Sequence, residues 1–166
     1  MIGTMIIEPE NSDFDKLSQK LTPLVGKQVF QAYHTYGTMF LFDCGERIEK
    51  VTGGKISYIG ECSVVIEADT RVLTQRDVKI VDSSDDVEVL RSKISTLTDL
   101  VVQKVSFAKS DIAPEMTFHF SNNITLDVSL TVPKDRSVGV RLPTSNWIDI
   151  GPGRVWKEVT GDHIDK

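Results

Sequence analysis

One order of hydrophobic patterns runs twice through this chain, and that repetition limits the folds open to it. After Ser12, the apolar residues Phe14, Leu17 and Leu21 fall three and four apart, which gathers them on one face of a helix. Leu24 continues the series, Pro23 stops the helix, and strand-like segments at 26–33 and 38–42 follow. Ser84 opens the same progression. Val87, Leu90, Ile94 and Leu97 share a helical face, Asp85 and Glu88 have capping-box spacing, and segments 100–105 and 116–120 return to strand character. The pattern predicts helices over 13–22 and 86–97, with 82–86 as the linker. Leu17 and Leu21 precede Leu90 and Ile94 by one common interval, and Phe40 and Phe42 precede Phe118 and Phe120 by a slightly longer one. A longer helix-to-strand link and a longer hairpin loop in the second half account for the drift. The expected fold is therefore α+β: two pseudo-repeated modules, 1–82 and 83–166, each a short helix followed by antiparallel strands, packed as one β-rich domain.

Between these landmarks the sequence alternates strands and turns. Met1 to Ile7 reads as an edge strand. Asp43-Cys44-Gly45-Glu46 has the composition of a hairpin turn, and Gly53-Gly54 of a second one, with strand 47–51 between. In the next strand Cys62, Val64, Ile66 and Ala68 face one way and Ser63, Val65, Glu67 and Asp69 the other. Short strands are expected at 71–73 and 78–81, and a turn at Ser121-Asn122-Asn123. Ile124, Leu126, Val128, Leu130 and Val132 alternate with polar residues until Pro133, the mark of a half-buried strand. Segments 138–142, 147–150 and 154–159 complete the set.

Bulk properties exclude several roles. A chain of 166 residues has the size of one domain or two packed halves. Its net charge of −5 and scattered Lys and Arg argue against nucleic-acid binding, which draws on clustered cations. No apolar run reaches membrane-spanning length, and the apolar start lacks the basic flank of a signal peptide. Two cysteines, Cys44 and Cys62, are too few for a disulfide framework. The expectation is a cytoplasmic protein with no membrane or nucleic-acid partner.

No arrangement of residues signals catalysis, a cofactor or a metal. Of the three histidines, His119 lies between Phe118 and Phe120 and so points away from their face; His34 neighbours a turn and His163 lies in the tail. Cys44 follows a strand and is expected at the surface, whereas Cys62 shares a face with Val64 and Ile66 as a small core residue. Structural zinc needs four converging ligands, and no such spacing occurs. Glycine-rich phosphate cradles and nucleophile motifs are absent too. Carboxylate pairs such as Asp43/Glu46, Glu67/Asp69 and Asp85/Asp86 read as solvated turn and strand-edge charges. Tyr33, Tyr36, Tyr58, Trp147 and Trp156 lie outside the expected core. Tyr33 and Tyr36 flank a loop with His34, which makes Tyr33, His34 and Tyr36 the expected partner-contact residues, since Tyr and Trp anchor many interfaces.

Two runs, Met39-Phe40-Leu41-Phe42-Asp43-Cys44-Gly45-Glu46 and Tyr58-Ile59-Gly60-Glu61-Cys62-Ser63-Val64-Val65-Ile66, followed by Arg71-Val72, resemble a family of uncharacterised bacterial proteins. That family has an L-x-G-x-x-V opening, a strand ending in F-G-E, the motif G-E-Y-x-L-H-I-Q-C-x-W-R-I and a second, degenerate β-module. Leu24, Gly26, Val29, Met39, Gly45, Glu46, Gly60, Glu61, Ile66 and Arg71 stand at matching positions, and Trp147-Ile148 at the late W-R position. Where the family has aromatic, His, Cys and Trp residues, this chain has Cys62, Val65, Ala68 and Thr70. Any chemistry resting on those residues would be missing here. Gly45, Glu46, Gly60, Glu61 and Arg71 are expected to act structurally, with Glu61 and Arg71 paired to hold the turns around strand 62–68.

Some members of the family look like immunity proteins encoded beside bacterial toxins. The resemblance and the acidic charge favour a protein-binding protein with one protein partner, such as a toxin it neutralises. A small-molecule module with a pocket between the repeats is the alternative, and an enzyme using Glu61, Arg71 or His119 ranks third. Homodimerisation through an edge strand is compatible with all of these.

Overall fold

The computed structural model describes residues 6–7, 12–35, 39–67, 71–108, 114–131, 137–144, 146–153 and 155–160. Its strands are β1 (Ile6–Ile7), β2 (Val29–His34), β3 (Phe40–Thr52), β4 (Lys55–Ile66), β5 (Arg71–Gln75), β6 (Val78–Asp82), β7 (Val102–Phe107), β8 (Glu115–Phe120), β9 (Ile124–Ser129), β10 (Val138–Arg141), β11 (Trp147–Ile150) and β12 (Trp156–Thr160). Its helices are α1 (Phe14–Lys20) and α2 (Val87–Ile94). A seven-stranded antiparallel sheet has the order β1-β12-β11-β10-β4-β3-β2, and a five-stranded one the order β6-β5-β9-β8-β7. The fold is mostly β, within the α+β class. Ala68, Asp69, Thr70, Asp111, Pro133, Arg154 and His163 lie outside the described residues.

Each helix forms where its apolar spacing predicts, with different chemistry at the two starts. Asp13 caps α1, its carboxylate accepting from the Asp15 and Lys16 N–H groups at 3.0 and 3.1 Å, the usual remedy for unpaired first-turn donors. Pro23 then sits in a 3-10 turn, Thr22–Leu24. At α2 the expected capping box does not form: Asp86 is the cap without a side-chain bond, and Asp85 accepts from the Asp82 N–H at 2.8 Å to fasten the linker turn. Leu90, Ile94 and Leu97 are buried, but Val87 stays 46% exposed because the first turn projects beyond the core.

The inner faces of both sheets and the two helices share one hydrophobic cluster. Cross-strand register puts His34, Phe40, Ile66, Val138, Ile150 and Trp156 in one inward row of the larger sheet. In the smaller sheet Val105, Phe118, Leu126, Leu73 and Val81 form the corresponding row. Phe42 crosses between the sheets, with its ring edge-on to Phe118 at 5.4 Å and to Phe120 at 5.6 Å, a geometry that adds to simple area burial.

A backbone seam joins the two sheets. Gln28 and Val101 form an antiparallel bridge. Around it the Gly26 N–H donates to Val102 O at 2.7 Å, Asp99 to Val29 O at 2.7 Å, Val29 to Leu100 O at 2.8 Å and Val102 to Lys27 O at 2.9 Å. The connections also cross over: hairpin β5–β6 pairs with β9, and hairpin β10–β11 pairs with β4.

The expected hairpin turn at 43–46 is not one. β3 continues through it to Thr52, and the register with β4 shifts between Cys44 and Arg47, as in a β-bulge. The hairpin turn that joins β3 to β4 is Gly53-Gly54, both with positive φ.

Phe42→Ala should destabilise the fold by about 3–5 kcal/mol, since the ring fills a fully buried site between sheets that cannot collapse onto it. Val51→Ala, at a 65% exposed position, should change stability by no more than about 0.5 kcal/mol. Urea unfolding of both variants checks the contrast.

Candidate functional site

Beyond Cys44 on β3 and Ser63 on β4, the two longest strands have no third strand beside them among the described residues. β2 registers with β3 only as far as Cys44, and β10 with β4 only from Ser63. Residues 47–60 therefore project as a two-stranded arm, closed by a two-residue glycine turn of the kind hairpins favour. Directly opposed pairs on the arm are Ile48–Ile59, Glu49–Tyr58, Lys50–Ser57 and Val51–Ile56. Ile48 is 45% exposed, Tyr58 51%, Ile56 60% and Val51 65%. An isolated two-stranded hairpin is marginal in water, yet this one spends β-branched and aromatic residues on solvent. Strand edges of this kind are where an incoming strand can pair.

The arm is free at its tip and fixed at its root. Arg141 donates to Gly60 O, and to Ser63 Oγ at 2.9 Å. Gln31 Nε2 donates to Tyr58 O at 3.1 Å and to Asp43 Oδ2 at 2.6 Å, while Ser63 Oγ donates to Asp43 Oδ1. Gln31, Asp43, Ser63 and Arg141 thus form a hydrogen-bonded row across four adjacent strands of the outer face. It satisfies the buried Asp43 carboxylate, which would otherwise be costly. The Arg47 guanidinium lies over the Phe30 ring, 5.1 Å from its centroid.

The bulge explains the glycines and Glu61. A Cβ at Gly60 would fall within 2.8 Å of the Cys62 and Cys44 backbone, and one at Gly45 would overlap the Glu61 side chain. Glu61 lies across Gly45, accepts from the Glu46 N–H at 3.2 Å and bridges Lys27 at 2.7 Å. The hydrogen bond from Lys27 holds the Glu61 carboxyl below the usual range and raises the Lys27 ammonium correspondingly. Gly45, Glu46, Gly60 and Glu61 are therefore parts of one bulge, but Arg71 is not. It lies in the other sheet, buried, with one guanidinium nitrogen 3.3 Å from His34 Nε2. The expected Glu61–Arg71 pair is thus replaced by Glu61–Lys27 and Arg71–His34, because the chain between β4 and β5 crosses from one sheet to the other.

The three expected contact residues do not form a unit. Tyr33 is 42% exposed on the outer face, where burial and the nearby Asp43 raise its phenol. His34 is buried in the inward row and cannot meet a partner. It follows Tyr33 in an alternating strand, so the two side chains take opposite faces. Tyr36 lies outside the described residues. Cys44, expected at the surface, is fully buried opposite Cys62, since β3 does not end there. The arm residues Ile48, Val51 and Ile56 were missed. Their signal is Gly53-Gly54 flanked symmetrically by Val51-Thr52 and Lys55-Ile56.

Away from the arm, the outer face of the smaller sheet holds an open depression of about 260 Å³ lined by Arg76, Asp77, Gln103, His119, Asn123 and Thr125. His119 faces outward as expected, with Nε2 2.8 Å from Ser106 Oγ. Burial and Lys104 lower its pKa. Among the described residues no cluster of His, Cys, Asp and Glu is placed to hold a metal ion, and no helix is long and apolar enough to cross a membrane. No family model matches the chain, and neither a curated protein nor a solved structure is similar to it.

Buried His34 makes a testable contribution to pH dependence. Burial first, then the guanidinium groups of Arg71 and Arg91, lower its pKa. The unfolded chain therefore takes up a proton near pH ~6.5 that the folded chain resists. Stability should fall as pH drops through that value. His119 contributes with the same sign and is left in place. In His34→Gln the unfolding free energy should decline less between about pH 7.5 and 5.5 than in the wild type; parallel urea profiles would refute the assignment.

Proposed function

We propose that the chain is a protein-binding protein whose contact element is the arm 47–60, built on a duplicated helix–β module of which one copy carries the arm. The carrying observation is the projecting two-stranded arm, with Val51, Ile56 and Tyr58 more than half exposed and Ile48 nearly so above a hydrogen-bonded root. Exposed apolar groups concentrated on one element are a feature of interaction sites, and aromatic and aliphatic anchors supply most of the affinity in such contacts.

Duplication is supported residue by residue. One interval relates Phe14, Leu17, Leu21, Leu24 and Val29 to Val87, Leu90, Ile94, Leu97 and Val102. Gly26 and Asp99, which that interval also relates, both have positive φ. The seam hydrogen bonds come in reciprocal pairs, Gly26 to Val102 with Asp99 to Val29, and Val29 to Leu100 with Val102 to Lys27. β2–β3 is irregular between Val29 and Gln31, and β7–β8 between Val102 and Lys104. Register pairs Val29 with Cys44 and Val102 with Phe120, so Phe42 corresponds to Phe118 and Phe40 to Met116, two residues along the strand from the match the sequence suggests. Where the first copy has the arm, the second has the short turn Ser121–Asn123. A difference confined to one loop of two like modules fits a contact element added to a scaffold.

The partner is a protein offering a strand or an apolar groove to the arm. Neutralisation of a toxin in the cytoplasm is the form that the sequence resemblance favours. A ligand pocket between the modules has less support, because the cavity lined by Phe40, Arg71, Leu73, Leu90 and Leu126 measures only about 10 Å³.

Replacing 48–59 by a two-residue Asn-Gly turn should leave the fold intact: it removes the Gln31 bond to Tyr58, but the Arg141 bonds to Gly60 and Ser63 and the bonds to Asp43 lie outside the excised part. The same change should abolish co-purification with the product of the adjacent gene. Tyr58→Ala should weaken that complex about 10-fold or more, as hot-spot truncations do. An arm-less chain that binds its partner with unchanged Kd would dispose of the proposal.

A further inference from the structure

The chain has two cysteines, and the fold sets them directly opposite each other on β3 and β4, both fully buried and both free thiols. Directly opposed residues of antiparallel strands have Cα atoms about 4.5–5.5 Å apart, inside the span of about 4.4–6.8 Å that a disulfide bridges. The register shift of the bulge begins at Cys44, and bulged strands twist and bend more readily than a regular ladder. The pair is polarised as well. The Cys44 thiol donates to Cys62 sulfur, which lowers the Cys62 pKa and raises that of Cys44; at Cys62 burial and the Glu61 charge act against this, and Lys27 and Arg141 with it.

We propose that Cys44 and Cys62 are a redox modification site, at which a low-molecular-weight disulfide such as glutathione disulfide oxidises the pair to a cross-strand bond that ties the root of the arm. Cys62 releases its proton to solvent, and its thiolate attacks one sulfur of the oxidant. The oxidant's S–S bond breaks and one glutathione thiolate departs. Cys44, losing its proton in turn, attacks the Cys62 sulfur of the mixed disulfide and expels the second thiolate. Two electrons pass from the pair to the oxidant, which is left as two thiols. Both sulfurs are shielded in the closed fold, so the first attack follows a local opening at the root. Among the described residues, the strands just beyond Cys44 and Ser63 have no third strand beside them, and segments with few neighbours sit at the low end of local stability.

The bond closes a covalent ring around the whole arm. Its formation does not depend on what the arm binds; its effect on partner affinity rests on the arm being the contact element.

The folded chain is incubated with glutathione disulfide, and peptides are mapped by mass. Separately, amide exchange is followed over 47–60. The expected result is concerted loss of both free thiols, a peptide joined at Cys44 and Cys62 and lighter by two hydrogens (about 2 Da), no retained glutathione, and full reversal by dithiothreitol. Arm amides should exchange about 10-fold more slowly in the oxidised chain. Cys44→Ala should instead retain one glutathione on Cys62. Thiols that stay free in the folded chain, while the urea-unfolded chain oxidises under the same conditions, overturn the site. So does accumulation of single-cysteine adducts in the wild type. A bond that forms without slowing arm exchange overturns the tying of the root. If the bond forms and the arm slows but partner affinity is unchanged, the site stands and the arm's role as contact element fails.

Discussion

The seam around Gln28 and Val101 is the constraint on which the rest of the architecture depends. Its backbone bonds are made by residues at and just before the starts of β2 and β7, one edge strand of each sheet. They set the two sheets in one relation. Given that relation, Phe42 meets Phe118 and Phe120, and the remaining inward rows close over a common interior. Polar groups follow the same logic. Asp43 and Ser63 lie low on the outer face, where Gln31 and Arg141 satisfy them, so the Asp43 charge is met without entering the core.

The arm depends on that fixed frame. A hairpin of this length has no core of its own, and its conformation is set by what grips its root: the Arg141 bonds to Gly60 and Ser63, the Gln31 bond to Tyr58, and the Glu61 side chain lying across Gly45 with Lys27 at its far end. An exposed surface prepared in this way loses less freedom on contact than a loop would, and preorganisation of this kind lowers the cost of association. The Arg47–Phe30 stack extends the gripped region to the start of the arm.

The sequence made the periodic elements legible. Phe14, Leu17 and Leu21, and later Leu90, Ile94 and Leu97, fall inside the core where helical spacing places them. Ile124, Leu126, Val128 and Leu130 are buried as strict alternation requires. Local chemistry misled where long-range contacts override it. Asp-Cys-Gly-Glu has turn composition, but Gly45 is needed because Glu61 occupies the space a side chain would fill, and that partner is distant in sequence. His34 looks like a surface residue beside a turn, yet its strand is in register with Phe40, and Arg71 arrives from the other sheet. The arm escaped notice because a strand without neighbours has the same alternation as one inside a sheet. Only the pairing of strands in the folded chain distinguishes them.

The crossing of hairpins between sheets bears on how the chain reaches this state. β4 needs β10 as its neighbour, and β9 needs β5, so neither half of the polypeptide holds a complete sheet. A ribosome that has released only the residues before the linker presents β4 with an open flank, and it stays open until the last third of the chain emerges. Such high contact order slows folding. The wider sheet is thus a late product of synthesis, closed only by strands that leave the ribosome near the end of the chain.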